Sequence, residues 1–185
     1  MNSAQTRIRL RPLQKSDETE LAPIFTDRQT LRFYLPTLLR TYSTEQLAGL
    51  LADWDDHPTD MILTIVRDRV VTGVGQPHVA DEVLGMVNLD GINYTNGNCE
   101  IGIAILNEMR GQGAAREALT QAIDYCFKEM RLHRVWCRVM EDNTRSLDLF
   151  ESMGFRKEGR MREHVNREGR FLDLVVLGVL RGEWD

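Results

Sequence analysis

The sequence predicts an α/β (α+β) fold built on one mixed, mostly antiparallel and twisted sheet of about seven strands with about four helices. Three observations predict it: a length of 185 residues of which 42% are hydrophobic, several short segments that alternate apolar and polar residues, and one long amphipathic pattern between two of them. A chain of this size and composition forms a core of its own. We therefore expect residues 1–185 to be a single domain.

The first third of the chain is predicted to hold one strand and two helices. Residues 6–13 alternate apolar and charged side chains and reach a proline, as a strand that ends in a turn does. Asp17 can cap a helix whose apolar residues follow at i, i+3 and i+4 spacing. Ser43 and Gln46 form a capping box before a second helix. We expect both helices to follow the strand directly.

The middle of the chain is predicted to hold three strands. Residues 61–66 and 83–89 have the composition of strands, and residues 70–82 between them, with glycines and a proline, predict an irregular connection. A turn at residues 96–98 leads into residues 100–106, whose run is apolar on both faces. We expect the first two strands to form an antiparallel hairpin and the third to lie centrally.

The second half is predicted to begin with the long helix. Apolar residues recur at helical spacing over residues 115–130, and the strand 134–140 that follows completes a strand–helix–strand unit with parallel strands and a right-handed crossover. Asn143 can cap a short helix that ends at Gly154. Two strands in a hairpin end the chain, residues 155–162 and 170–180.

Composition excludes several classes of function. The chain has 23 Lys and Arg against 28 Asp and Glu, for a formal net charge of −5, so a nucleic acid is disfavoured as a partner. The apolar run 174–180 is far too short to cross a bilayer, and the first residues lack the apolar core of a signal peptide. The three cysteines and four histidines show no metal-ligand spacing. We expect a cytoplasmic protein without metal or membrane contact.

A candidate ligand loop lies between the central strand and the long helix, at Arg110-Gly111-Gln112-Gly113-Ala114-Ala115. Small residues let backbone N–H groups approach a ligand closely, and a helix N-terminus adds unpaired donors and a positive dipole end, which suits a pyrophosphate. The P-loop motif of nucleotide hydrolases is absent, and Arg116 stands where a dinucleotide fingerprint requires glycine. Alternatively, these glycines only form a tight turn.

Two motifs in this order resemble the GNAT acetyltransferases. Arg110-x-x-Gly113-x-Ala115 matches the family signature [QR]-x-x-G-x-[GA], and residues 141–159 resemble its N-x-x-S…E-x-x-G-F segment. Residues 162–184 are similar to the ribosomal-protein N-terminal acetyltransferase (RimJ/RimL-like) branch, which also includes enzymes for other amines. The resemblance covers most of the chain and implies a GNAT-like acetyltransferase domain. Its co-substrate would be acetyl-CoA, and its first candidate acceptor a protein N-terminal α-amine.

The resemblance also implies where acetyl-CoA binds. The strands 100–106 and 134–140 would diverge at one end and expose backbone groups that bind the pantetheine arm as an added strand does. The loop amides would hold the pyrophosphate, with local positive charge from an arginine. The residues implied are Ile103, Ala104, Ile105, Arg110, Gly111, Gln112, Gly113, Ala114, Ala115, Asn143, Ser146 and Phe150. For Asn143, a plain helix cap is the alternative.

The reaction needs a base for the amine and a proton for the leaving thiolate. Glu100, where its strand meets the predicted cleft, is the candidate base, or else a solvent-facing carboxylate at a strand end. Many relatives have a tyrosine at the position of Phe150 as proton donor; this chain has no hydroxyl there, so Ser146 is the candidate donor, directly or through water. Cys126 and Cys137 are expected in the core, which favours direct transfer in a ternary complex.

The acceptor stays open at this point. A polyamine, an amino acid or an aminoglycoside is an alternative, because acceptor pockets in this fold are built from variable loops. A non-catalytic acyl-CoA-binding module is another. The acidic residues near position 55, together with Tyr34 and His164, are candidates to face the acceptor, although charge runs are usually solvated. These acidic residues are Asp53, Asp55, Asp56 and Asp60. A homodimer is also kept open.

Overall fold

The computed structural model describes residues 7–34, 42–71 and 78–184, which form seven strands and five α-helices. The strands are β1 (Ile8–Pro12), β2 (Met61–Val71), β3 (His78–Asn93), β4 (Asn98–Ile105), β5 (Arg134–Met140), β6 (Arg156–Arg167) and β7 (Arg170–Leu180). The helices are α1 (Asp17–Thr26), α2 (Arg28–Tyr34), α3 (Thr44–Asp55), α4 (Ala114–Asp124) and α5 (Thr144–Ser152), and α4 continues as a π-helical turn over Tyr125–Glu129. None of the helices in these ranges is both long and apolar enough to span a membrane.

All seven strands belong to one sheet with the order β1-β2-β3-β4-β5-β7-β6. Every neighbouring pair is antiparallel except β4–β5, which is parallel and joined by α4. The predicted mixed, mostly antiparallel sheet and its central strand–helix–strand unit are confirmed. The parallel pair lies in the interior of the sheet, with three strands beyond β4 and two beyond β5. This position places the β4–β5 gap near the middle of the sheet.

Helices cover both faces of the sheet. On one face, α1, α2 and α3 bury Leu21, Phe25 and Leu51 against the sheet. On the other face, α4 and α5 pack in a second core that includes Leu119 and Phe150. Burial of large apolar side chains at about 1.5 to 3 kcal/mol each is the main stabilising term for both layers.

The alternation of side chains along the strands decides which residues face which layer. In β3, Val87 and Leu89 belong to the core beneath α4, whereas Met86 belongs to the core beneath α1, α2 and α3. Successive strand residues point to opposite faces, so Asn88 and Asp90 face the α1–α3 side with Met86. These two polar side chains therefore lie on the face that the N-terminal helices cover.

A buried carboxylate joins β1, α1 and β2. Asp17, only 1% exposed, accepts hydrogen bonds from both terminal nitrogens of Arg11 at 2.6 and 2.8 Å and from the hydroxyl of Thr64 at 2.9 Å. Burial raises the pKa of Asp17, but the hydrogen bonds from Arg11, the Gln14 amide and Thr64 outweigh it, so its pKa lies below its usual range. Asp17 is thus a structural anchor; it begins α1 but does not cap it, since Ser16 is the N-cap residue.

The prediction of an irregular connection over residues 70–82 is wrong for the part that the structure describes. β2 extends to Val71 and β3 begins at His78, and the two pair in register up to these ends. Half-buried cross-strand ion pairs such as Arg67–Glu82 hold this extension. Their charged residues leave no apolar alternation in the sequence. Residues 72–77, which suggested the irregularity, lie outside the described residues.

The helix α2 was not predicted. Its seven residues offer one fully buried apolar side chain, Leu31, which is too little for a helical pattern. Asp27 stabilises its start, because its carboxylate accepts hydrogen bonds from the Thr30 amide at 2.9 Å and from the Thr30 hydroxyl at 2.5 Å. The helix brings Tyr34, one of the residues predicted to face the acceptor, against β3.

Candidate functional site

The parallel pairing of β4 and β5 is short. Residues 98–100 lie opposite residues 134–136, and the parallel register ends at Glu100 and Trp136. Beyond this point β4 continues to Ile105 against β3, and β5 continues to Met140 against β7. The two strands therefore diverge, and the backbone edges of residues 101–105 and 137–140 face each other across a gap. The divergence that the family resemblance implied is confirmed.

The gap opens into a cleft of about 1550 Å³. Its wall is formed by the diverging strands, the loop after β4 and the first turns of α4 and α5. Of the residues predicted for acetyl-CoA and catalysis, those on this wall are Glu100, Ile103, Ala104, Ile105, Arg110, Gly111, Gly113, Ala114, Ala115, Asn143, Ser146 and Phe150. Gln112 is not on it: its side chain bonds Arg67 at 2.8 Å and the Glu108 carbonyl at 3.3 Å.

The loop before α4 has the backbone conformation that its glycines permit. Gly111 and Gly113 have φ angles of +81° and +80°, a left-handed conformation that costs other residues energy. Gly113 is the N-cap of α4. The first amide groups of a helix have no partner within it, so the N–H groups of Gly113, Ala114 and Ala115 are available at the cleft. This arrangement can hold an anion such as a pyrophosphate.

Three arginines give the cleft a local positive charge near this loop: Arg110, Arg116 and Arg145. The Arg110 guanidinium is fixed to the end of β4, since it donates to the Ile105 carbonyl at 3.2 Å and to the Thr30 hydroxyl at 2.7 Å. Burial, together with the nearby charge of Arg145, lowers the pKa of Arg110. Of these three arginines, only Arg110 was predicted to contribute this charge. Arg116 and Arg145 lie in the first turns of α4 and α5, and their distance along the chain hid their proximity.

The start of α5 forms the opposite wall. Asn143 is its N-cap, and its side-chain oxygen accepts from the Ser146 amide at 3.3 Å. The Ser146 side chain is half-buried at the cleft. Phe150 is buried and packs edge-on against Phe155, with ring centroids 5.0 Å apart. The motif residues 143, 146 and 150 therefore lie on one face of α5, on successive turns.

Glu100 lies at the point where the β4–β5 pairing ends. Both of its carboxylate oxygens accept from Arg138, at 2.8 Å from Nε and 2.7 Å from a terminal nitrogen. This two-point ion pair bridges the base of the gap, and its hydrogen bond raises the pKa of Arg138. Glu100 is therefore neither an unpaired carboxylate nor a solvent-facing one.

A second carboxylate, which the sequence analysis missed, lies beside Glu100. Asp90 of β3 is directly opposite Glu100 in the antiparallel register. The Asn88 amide nitrogen donates to Asp90, and the Tyr34 hydroxyl donates to the Asn88 oxygen at 2.8 Å. Burial, together with the negative charges of Asp60 and Glu100, raises the pKa of Asp90 to about 6. Its only sequence signal was a charged residue at the end of a buried strand.

The acidic run near position 55 contributes one residue to the cleft. Asp60 lies on the wall, where it accepts from the Gly91 amide at 2.8 Å and pairs with His57 at 3.2 Å. Asp53 and Asp56 are exposed and do not line the cleft, and the side chain of Asp55 lies outside the described residues. His164 is also exposed and away from the wall. Tyr34 does line it.

The cysteines are buried, as predicted for Cys126 and Cys137. The sulfur atoms of Cys99 and Cys126 lie 3.8 Å apart, and burial raises the pKa of the Cys137 thiol. A thiol that stays protonated is a poor nucleophile. Within the described residues, no group of three or more His, Cys, Asp or Glu side chains is placed to hold a metal ion.

Comparison with known proteins agrees with this geometry. The family model "Acetyltransferase (GNAT) domain" matches residues 7–156. The spermidine N(1)-acetyltransferase of Vibrio cholerae is 32% identical over 102 residues, which cover 55% of this chain and 59% of that protein. The [ribosomal protein uS5]-alanine N-acetyltransferase of Escherichia coli is 32% identical over 106 residues, or 56% of this chain and 54% of that protein. The matched region thus spans little more than half the length of these curated relatives.

A solved structure extends the similarity in fold to nearly the whole chain. The crystal structure of spermidine N-acetyltransferase from Vibrio cholerae in complex with CoA and spermine superposes with a TM-score of 0.81 at 24% sequence identity, covering 95% of this chain and 96% of that one. At this identity the likeness concerns the fold. Because the family model spans both the N-terminal helices and the β4–α4–β5 unit that builds the cleft, the chain belongs to the GNAT acetyltransferase family.

Proposed function

We propose that this protein transfers the acetyl group of acetyl-CoA to a primary amine by direct attack in a ternary complex. The divergence of β4 and β5 is the observation that carries the proposal. Its edges offer backbone groups to the amides of a pantetheine arm, as a sheet edge does to an added strand. Residues 101–105 cover about 16 Å, comparable to an extended pantetheine arm, so a pyrophosphate at Gly113 sets the thioester beside Glu100.

The walls of the cleft supply the remaining functions. The α4 amides and the arginines around them favour the negative charge of the pyrophosphate. Asn143 and Ser146 face the pantetheine arm, and Phe150 packs beside the thioester. The Ser146 hydroxyl donates a proton to the leaving sulfur, directly or through water. Because the thiols are buried, the amine attacks the thioester itself.

A protein N-terminal α-amine is the first acceptor that we propose. The cleft is open and large enough for a chain terminus, and one relative is named as a ribosomal protein alanine N-acetyltransferase. A polyamine is the second candidate. The carboxylates of Asp60, Asp90 and Glu100 on the acceptor wall favour a cationic amine, and other relatives are named as spermidine acetyltransferases.

Release of free CoA thiol in the presence of an amine panel tests the proposal. The panel holds an alanine-starting peptide, the same peptide with a blocked N-terminus, spermidine, a free amino acid and an aminoglycoside. We expect turnover with the free peptide and none with the blocked one. Turnover with spermidine alone would select the second acceptor instead.

Thermal unfolding separates an enzyme from a binding module. A ligand that binds only the folded state stabilises it by about 2.7 kcal/mol at one hundred times its dissociation constant, so CoA is expected to raise the melting temperature. A raised temperature without turnover on any amine would indicate an acyl-CoA-binding module, and an unchanged one at millimolar CoA would contradict the donor site. The single domain over residues 1–185, the cytoplasmic location and the homodimer stay predictions.

A further inference from the structure

We propose that Asp90, and not Glu100, accepts the proton of the acceptor amine. The inference rests on the acetyl transfer proposed above and adds the residue that makes the amine nucleophilic. Asp90 lies outside the motifs that identified the family, on β3 and not on the diverging strands. Its position, its hydrogen bonds and its surroundings support this role.

The contacts of Glu100 oppose its use as a base. Both of its oxygens are held by Arg138 at 2.8 and 2.7 Å, and such two-point charge-assisted pairs are among the strongest hydrogen bonds in proteins. A proton on Glu100 would remove the negative charge that pairs with Arg138 and would weaken both charge-assisted bonds. The Glu100–Arg138 ion pair instead connects β4 and β5 at the base of the gap.

Asp90 keeps one carboxylate oxygen without a hydrogen bond from the described residues, whereas both oxygens of Glu100 accept from Arg138. It lines the cleft opposite Glu100, at the position where the thioester arrives in the proposed complex. Its Oδ2 accepts from Asn88, while its Oδ1 accepts no hydrogen bond from the described residues. A general base needs such a lone pair within reach of the substrate proton.

The hydrogen-bond chain from α2 fixes the orientation of Asp90. The Tyr34 hydroxyl donates to the Asn88 oxygen at 2.8 Å, which leaves the Asn88 amide nitrogen to face Asp90. A Cβ on Gly102 would collide with the Asn88 oxygen, so the absence of a side chain at position 102 gives Asn88 its room. Tyr34 and Asn88 are therefore positioning residues.

The surroundings of Asp90 tune it for proton transfer near neutral pH. Its pKa is raised to about 6, mainly by burial. The charged groups that face it are Asp60 and Glu100, which raise the pKa, and Arg138, which lowers it; Asn88 also lowers it through its hydrogen bond. At pH 7 the carboxylate is still mostly ionised, yet it is more basic than an exposed aspartate, which is the compromise that general-base catalysis favours.

The substrate ammonium gives one proton to Asp90, and its nitrogen forms a bond to the thioester carbonyl carbon. The C–S bond then breaks, and the sulfur leaves with the bonding electron pair as a thiolate. The nitrogen loses a second proton and the thiolate gains one through Ser146 or water, so the products are the amide and CoA thiol. Asp90 finally releases its proton to solvent.

The test is the pH profile of kcat/KM for the wild type and for Asp90→Asn, Glu100→Gln and Asp68→Asn. Asp68 is a matched control, since it pairs with Arg9 on the exposed far part of β2. We expect the wild type to lose activity below about pH 6. Asp90→Asn should lose roughly 10²- to 10⁴-fold in kcat/KM together with this acidic limb, and CoA should stabilise it as it does the wild type. Glu100→Gln and Asp68→Asn should both keep the limb.

The outcomes separate this inference from the proposed function. A wild type that releases no CoA with any amine overturns acetyl transfer itself. An active wild type whose acidic limb persists in Asp90→Asn and disappears in Glu100→Gln overturns the assignment of Asp90 and makes Glu100 the base. Should Asp90→Asn fail to fold, the limb in Glu100→Gln decides: its persistence near pH 6 supports Asp90, and its loss contradicts it.

Discussion

Gly113 combines a left-handed backbone with the N-cap of α4, and no heavy atom lies within 4 Å of where its Cβ would stand. The cost of a side chain there is therefore conformational, about 1 to 2 kcal/mol, and the added group also blocks the approach of a pyrophosphate to the loop amides. We expect Gly113→Val to lose the stabilisation by CoA, as measured by thermal unfolding.

Gly182→Ala is the control for this substitution, because Gly182 has equal space around it and no left-handed φ angle. The variant should keep its response to CoA. A folded Gly113→Val protein with unaltered CoA affinity would show that the glycines only form a tight turn.

Cys126 tests the choice between direct transfer and a thiol intermediate. It is fully buried beside Cys99, so Cys126→Ala should keep its turnover while losing about 1 kcal/mol of stability to the deleted sulfur. Urea unfolding and CoA release measure the two effects. An acetyl group trapped on Cys126 or Cys137, or a burst of CoA before amine is added, would contradict direct transfer.

Among the secondary-structure elements, the junction of β1, α1 and β2 depends on one charge. Asp17→Asn leaves the Arg11 guanidinium with a weaker, neutral partner in a buried place, and we expect a loss of about 3 kcal/mol at pH 7. Because the folded pKa of Asp17 is depressed, its contribution is present above its unfolded pKa near 3.9 and disappears as the pH falls through the folded value. The wild type should thus lose its advantage over the variant below about pH 4.

Urea unfolding at pH 7 and at pH 3 measures this difference. Asp68→Asn provides the comparison, since the Arg9–Asp68 pair is exposed and such pairs contribute about 0 to 1 kcal/mol. Equal losses for the two variants at pH 7 would show that the Asp17 network does not hold the junction.

The elements differ in how clearly the sequence predicts them. The stripe over residues 115–130 predicted α4 because one helix face is buried along its whole length. The extension of β2 and β3 was not predicted because ion pairs such as Arg67–Glu82 hold it. The charged residues on both strands show no apolar alternation. The helix α2 was not predicted because it depends on Asp27 and on packing partners that are distant in sequence.

The candidate site divides in the same way. Its donor half was predictable because the loop at 110–115 and the segment 143–150 are local motifs whose backbone conformation follows from their glycines and caps. Its acceptor half was not, because Tyr34, Asp60 and Asp90 come from separate elements and meet only through the strand order and the register of β3 against β4. Contacts set by topology leave little signal in a single sequence.

The sheet consists of two halves, β1–β4 and β5–β7–β6. They are joined by the parallel pairing of β4 with β5, which comprises three residue pairs. CoA in the gap would add hydrogen bonds on both sides of it. We expect CoA to slow amide hydrogen exchange in residues 101–105, 111–115 and 137–140 while exchange across β1 and β2 stays unchanged. Exchange mass spectrometry resolves these peptides. Protection spread evenly over all strands, or confined to residues 111–115, would contradict pantetheine binding between the half-sheets.

The gap also bears on how the chain avoids aggregation. A strand edge with unpaired backbone groups is a template for another chain, and the outer edges here carry deterrents: β1 has Arg9, Arg11 and Pro12, and β6 is rich in charge. The inner edge of β4, Ile101-Gly102-Ile103-Ala104-Ile105, has none, and its uncharged, β-prone composition is typical of self-associating segments. The edge is recessed in the cleft, and CoA bound there, as proposed above, would cover it. The coenzyme present while the chain folds would therefore act as a chaperone of this edge, as well as a substrate.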